Sequence, residues 1–252
     1  MATPVTVILG LGQEVGEALA RRFVETGHAV LAADTDQTRI DRAREALPEK
    51  VTLFHGDLQT RIGLRNCLAA AEENHPQIDN LVIVPDLAPE DRLSNLDIAR
   101  FEKFLSEGVR GTTMAMNLFA ERIAALEDQI ANRAERVRQH GSVTVVLSQM
   151  AELANVGEYT RAVTQGAILA AVRSAAVELA SQQIRVNAIS AIRPRAEAEE
   201  GWDKSRVPLG RAALADEIAD AALYLSSRAA AIVTGATLVL DGGRSVLAGR
   251  MP

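Results

Sequence analysis

Residues 5–20 constrain this chain more than any other stretch: Val5-Thr6-Val7-Ile8-Leu9, then Gly10-Leu11-Gly12-Gln13-Glu14-Val15-Gly16, then Glu17-Ala18-Leu19-Ala20. The apolar run has the length and β-branched content of a buried strand, and the residues after Gly16 carry apolar side chains at helical spacing to about Thr26. Glycines let a strand turn tightly into a helix whose first backbone N–H groups face outward, a geometry suited to an anion. Gly10 and Gly12 suit the turn, and Gly16 suits close packing of helix on strand. The pattern predicts a dinucleotide cradle, with one discordant residue: Glu14 brings a carboxylate to the place of a pyrophosphate.

The remainder alternates strand and helix. His28–Ala33 reads as a second strand ending at Asp34, about 20 residues past the glycine turn, where a dinucleotide-binding fold places its ribose-binding carboxylate. Asp34 or Asp36 serves equally well as the cap of a helix over Gln37–Leu47. Strands follow at Val51–Phe54, Leu81–Val84 (stopped by Pro85), Val143–Leu147 (ending at Ser148), Ile184–Ile189 and Thr237–Leu240. Between them lie a helix from Gly56-Asp57-Leu58 to about Asn74, and a long helical region from Asn95 to Gln139 broken near Gly108 and Gly111. A small-residue helix runs from Tyr159 to about Ser181, and a last helix capped by Asp216 ends near Ser226. Phe119, Ile123, Leu126, Ile130 and Val137 form one apolar stripe on the long helix. This alternation predicts an α/β fold: a Rossmann-type, doubly wound parallel sheet of about seven strands, helices on both faces, in a single domain over residues 1–252.

Composition narrows the partners. A formal net charge of −6 in 252 residues argues against nucleic acid or an anionic membrane. No apolar run approaches the roughly 20 residues of a membrane span. Cys67 is the only cysteine and the four histidines are dispersed, so neither a disulfide nor a metal site is expected, and a reducing, cytoplasmic setting is. The charge-rich loop Arg193–Val207, with Trp202 as its one large side chain, reads as a solvated loop or a partner contact.

Several stretches together resemble the short-chain dehydrogenase/reductase family along nearly the whole chain. They are Gly10–Gly16, Ile78-Asp79-Asn80-Leu81-Val82, Val177-Glu178-Leu179-Ala180, Ile184-Arg185-Val186-Asn187-Ala188, Pro208-Leu209-Gly210-Arg211, and Val233-Thr234-Gly235 through Asp241-Gly242-Gly243. The resemblance implies NAD(P) chemistry on an alcohol or carbonyl, carried by a Tyr-x-x-x-Lys pair with a serine and an asparagine, usually in dimers or tetramers. Carried over residue by residue, the serine position is kept as Ser148. The tyrosine, lysine and asparagine positions fall on Arg161, Gln165 and Gly108. A guanidinium does not release its proton at ordinary pH, and a neutral amide does not lower a neighbour's pKa. Tyr159 is a substitute two residues early, and none of the three lysines (Lys50, Lys103, Lys204) lies near it. In the cofactor site the family's second loop glycine is Glu14, and its motif after the fourth strand is replaced by Ile83-Val84-Pro85-Asp86. Gly10, Gly12, Gly16, Asp34 and Asp57 remain as vestiges.

These substitutions favour one reading over two others. The leading expectation is a subunit without dehydrogenase activity of its own, with no cofactor bound and Glu14 blocking phosphate. It would sit in a homo- or hetero-oligomer with an active paralogue, of the hydroxyacyl-CoA dehydrogenase or ketoacyl reductase type. The alternative is an NAD(P)-dependent oxidoreductase with a divergent proton relay through Ser148 and Tyr159 or Arg161, Asp34 then favouring NAD over NADP. The third is a non-catalytic adenine-nucleotide sensor dependent on Asp34 and Asp57.

Overall fold

The computed structural model describes residues 3–73, 75, 77–129, 141–192 and 204–248. Within them seven parallel strands form one sheet: β1 Val5–Leu9, β2 Ala29–Asp34, β3 Val51–His55, β4 Asn80–Ile83, β5 Ser142–Ser148, β6 Arg185–Ala191 and β7 Thr237–Leu240, in the order β3-β2-β1-β4-β5-β6-β7. Every residue of β1, β4 and β5 is buried, as expected of strands covered on both faces. β1 lies between β2 and β4, with Val7 opposite Leu31 on one side and Leu81 on the other.

Side chains alternate across the sheet and so build two cores. Val5, Val7 and Leu9 face the side covered by α3 (Arg61–Glu72), α5 (Gly111–Gln129) and α6 (Tyr159–Glu178), where Leu64, Phe119, Ile168 and Val172 pack. Ile8, Val30 and Ala32 face α1 (Val15–Glu25), α2 (Gln37–Ala46) and α7 (Ala215–Ser226), meeting Leu19, Phe23, Ile40 and Ile218. The buried stripe of α6 changes character along its length: Thr160, Arg161, Thr164 and Gln165 in the first turns, then Ile168, Leu169, Val172 and Ala176. Its polar end lies beside the C-terminal end of β5, its apolar end against the core.

Helix ends depart from expectation where distant groups or better caps intervene. The long helical region is α4 (Ile98–Leu105) and α5, joined by a π-helical turn over Ser106–Arg110. Gly108 lies in that turn because α6 passes beside it: a Cβ there would come within 2.8 Å of Thr164 Cγ2. The asparagine position is thus a packing contact. Phe119 and Ile123 are buried as the stripe predicts; Ile130, Val137 and the side chain of Leu126 lie outside the described residues, as does most of the loop bearing Trp202. Asp216 is not the cap of α7. Leu214 takes that place, and the Glu217 carboxylate accepts its N–H at 2.9 Å. Among the described residues no helix is long and apolar enough to cross a membrane.

Candidate functional site

In an open parallel sheet the crevice outside the strand C-termini, where chain order reverses, is where ligands bind. Here that point lies between β1 and β4, and the first glycine turn opens on it. Gly10 has φ +101°, and a Cβ on it would stand 2.3 Å from the Val84 carbonyl oxygen. A Cβ on Gly16 would stand 2.2 Å from the Gly10 carbonyl oxygen. Neither position accepts any other residue without moving backbone. Gly12 is less constrained, since a Cβ there would meet only side-chain atoms of Asp86 and Arg39, at 3.3 Å and beyond.

Glu14 does something other than expected. It is exposed, it makes no capping hydrogen bond to α1, and its backbone takes the left-handed conformation, φ 62° and ψ −19°. The carboxylate therefore does not satisfy the helix N-terminus in place of a phosphate. The residue keeps a glycine's backbone conformation at the cost of strain.

The two acidic residues after β2 divide the roles left open by the sequence. Asp36 caps α2, accepting the Thr38 N–H at 2.8 Å. Asp34 is buried, and its carboxylate is tied to the turn, accepting the N–H of Leu11 at 2.7 Å and of Asp36 at 2.8 Å. Arg39 adds a third contact: its Nη1 lies 3.4 Å from Asp34 and 2.8 Å from Asp86, in the loop after β4. Burial pulls the Arg39 pKa down, but the Asp86 and Asp34 carboxylates outweigh it and leave the pKa above an arginine's ordinary value. The guanidinium crosses a cavity of about 90 Å³ bounded by Gly10, Leu58, Val84 and Gly108. That is far below the roughly 300 Å³ at which small-molecule pockets begin. Asp57 is exposed and accepts the Gln59 N–H, the work of a turn residue.

At the end of β5 the structure brings Ser148, Arg161 and Gln165 onto adjacent elements. Ser148 N–H donates to Gln165 Oε1 at 2.9 Å, and Ser148 Oγ accepts the Met150 N–H at 3.2 Å. The first bond fixes which way the Gln165 amide points. Its Nε2, on a residue only 1% exposed, has no hydrogen-bond partner among the described residues, and an orphaned donor at such depth is a place for a ligand atom or a water. Arg161 is a buried strut: Nε and Nη2 donate to the Ala88 carbonyl at 3.0 and 2.6 Å, and Nη1 pairs with Glu158. Tyr159, at the first position of α6, is half-buried with its ring 6.2 Å from that of Phe101. Asp91 closes the same helix end by accepting the N–H and hydroxyl of Thr160. Sequence reasoning missed Arg39, Asp91 and Glu158 as site residues. Asp91 has no local signal at all, since it lies 69 residues from the helix it caps. Among the described residues no group of three His, Cys, Asp or Glu side chains is placed to hold a metal ion.

Residues 10–245 match the family model described as enoyl-(acyl carrier protein) reductase. An NAD-dependent glycerol dehydrogenase of Listeria innocua is 26% identical over 250 residues, covering 96% of this chain and 94% of that protein. A 3-oxoacyl-(acyl-carrier-protein) reductase of Chlamydia pneumoniae is likewise 26% identical, covering 94% and 95%. Among solved structures, an oxidoreductase of the short-chain dehydrogenase/reductase family from Burkholderia thailandensis aligns at TM-score 0.82 and 28% identity, over 99% of this chain and 95% of that one. A 3-ketoacyl-(acyl-carrier-protein) reductase from Brucella melitensis, complexed with NADH, shares the fold at TM-score 0.85 and 23% identity, over 96% and 98%. These matches correct the expectation of a subunit without dehydrogenase activity, because relatives aligned along nearly the whole chain are named as oxidoreductases. The physical reason lies in the turn. Gly10 and Gly16 leave no room for a side chain where strand turns into helix, and Glu14 takes a glycine-like backbone conformation with no side-chain hydrogen bond to the helix N-terminus.

Proposed function

The chain belongs to the enoyl-(acyl carrier protein) reductase family of short-chain dehydrogenases/reductases, and from that premise we propose that it is an NAD(P)-dependent oxidoreductase interconverting an alcohol and a ketone. Its proton relay differs from the family's Tyr-x-x-x-Lys pair. The observation that carries this reading is the intact strand–turn–helix, in which Gly10 and Gly16 have no room for a side chain.

The residues present fit a dinucleotide. The turn and the first N–H groups of α1 would take the pyrophosphate, and Asp34 and Arg39 flank the adenosine end. Arg39 lies across that end, paired with Asp86, whose side chain is 57% exposed, and with the buried Asp34. The buried Gln165 Nε2 offers one hydrogen bond to an uncharged ligand oxygen. When bound, the nicotinamide supplies or accepts a hydride. Ser148 holds the substrate oxygen, its hydroxyl hydrogen remaining to donate while its oxygen accepts from Met150. Arg161 keeps a positive charge buried beside the site and stays protonated. Tyr159 carries the one phenol at the mouth of α6 that could exchange a proton with solvent.

The test is direct. Purified protein is titrated with NADH and NADPH by fluorescence, then assayed against a panel of ketones that includes a 3-oxoacyl thioester and dihydroxyacetone. We expect binding below millimolar cofactor, turnover of at least one ketone, and a loss of about a hundredfold in kcat for Ser148→Ala. Absence of binding at millimolar cofactor, or turnover indifferent to Ser148→Ala, refutes the reading.

A further inference from the structure

Arg39 puts a guanidinium into the cavity between β1 and β4, and three carboxylates lie near it: Asp86 at 2.8 Å, Asp34 at 3.4 Å and Asp36 at 3.7 Å. The three are held differently. Asp34 is buried and fixed by two backbone N–H groups, and Asp36 is committed to capping α2. Asp86 lies on the loop after β4, and its carboxylate accepts from the Arg39 guanidinium. The other cation that reaches the turn, Arg42, is matched by Glu17 at 2.6 Å. The local balance is therefore negative, with the Arg39 guanidinium closer to Asp86 than to Asp34.

We propose that Asp86 sets the cofactor preference of this pocket by competing for Arg39: held by Asp86, Arg39 is withheld from a 2′-phosphate, and the surplus carboxylates select the dinucleotide without one. This rests on the reading of the chain as a dinucleotide-dependent oxidoreductase. A 2′-phosphate brings close to two negative charges beside Asp34 and Asp36, and only a released guanidinium would offset them. A free ribose hydroxyl brings none, and it can donate to a carboxylate. Asp86 thus acts on selectivity without needing to touch the cofactor, because it determines where the guanidinium rests.

Two variants separate this from a merely structural ion pair, and both change partly exposed side chains outside the cores. Asp86→Asn releases Arg39 and deletes one carboxylate. Arg39→Gln deletes that guanidinium and leaves all three carboxylates. NADH and NADPH affinities are measured by calorimetry for the wild type and both variants, with thermal unfolding as the control for folding. The wild type is expected to bind NADH more tightly than NADPH. The ratio of the two should fall about tenfold in Asp86→Asn and rise about tenfold in Arg39→Gln, an order of magnitude consistent with one unit charge at several ångströms in a half-solvated site. A structural role would shift unfolding or both affinities together and leave the ratio alone. If dinucleotide binds and the ratio moves less than about twofold in either variant, or moves in the same direction in both, the proposal is overturned while the oxidoreductase reading stands. If none of the three proteins binds either dinucleotide, both fail.

Discussion

Glu14 joins two separable effects in one residue, and three substitutions take them apart. The backbone at φ 62° costs an L-residue about 1–2 kcal/mol relative to glycine, and glycine returns roughly 0.5–1 kcal/mol of that through the freedom of its unfolded chain. Glu14→Gly should therefore be more stable than Glu14→Ala by about 0.5–1 kcal/mol, or roughly 1–4 °C in Tm for a chain of this size. The alanine variant is the right reference because both changes remove the same charge from the start of α1. The second effect is electrostatic. A carboxylate about 6 Å from a phosphate repels it by about 1–3 kcal/mol for effective dielectric constants between those of water and the protein surface. Glu14→Gln, which keeps the strain and loses the charge, should bind NADH roughly tenfold more tightly, and Glu14→Gly should share that gain. The affinity gain, unlike the stability difference, should shrink as salt is raised. Urea denaturation of the three variants and NADH titrations at two ionic strengths supply the data. Equal stability of the glycine and alanine variants refutes the strain argument. Unchanged affinity in Glu14→Gln refutes the charge argument.

Three further outcomes follow from buried groups. Arg161→Met removes the donor that Glu158 and the Ala88 carbonyl share, so urea denaturation should show a loss of about 3–5 kcal/mol, typical of breaking a buried pair from one side. His28, wedged edge-on to Phe23 with its ring at 2.9 Å from Thr6 Oγ1, has its pKa lowered by burial, against the opposing pull of Asp79. The unfolded chain therefore binds its proton first. This contribution to stability is full above the ordinary histidine value of about 6.5 and is lost as pH falls from there through the lower folded value. Urea midpoints between pH 5 and 8 should show that slope, and His28→Gln should flatten it. Burial pushes the Cys67 thiol up to about 12, so a thiol reagent at pH 8 should leave the native protein unlabelled and label it on unfolding; rapid native labelling would contradict the packing of α3.

The sequence by itself determined the architecture, because its signals are local. Burial on both faces requires continuous apolar strands, and Val5–Leu9, Asn80–Ile83 and Ser142–Ser148 carry them at the expected places. A strand that turns at once into a helix needs glycine, and Gly10 and Gly16 mark that turn before any partner is known. Asp36 and Thr60 cap helices that begin beside them. Only the tertiary structure decided the site, because the partner of a charged or amide side chain comes from whichever loop crosses it. Arg161 finds a carbonyl 73 residues away, and Thr160 a carboxylate 69 residues away. Asp34 is consumed by the glycine turn it was expected to overlook. Asp86 reads in the chain as a lost motif, yet in space it holds Arg39 across the cavity between β1 and β4. The substituted residues at 161 and 165 were legible as types. What they bind depends on how β4, β5 and α6 converge, and that is set by the packing of the whole sheet.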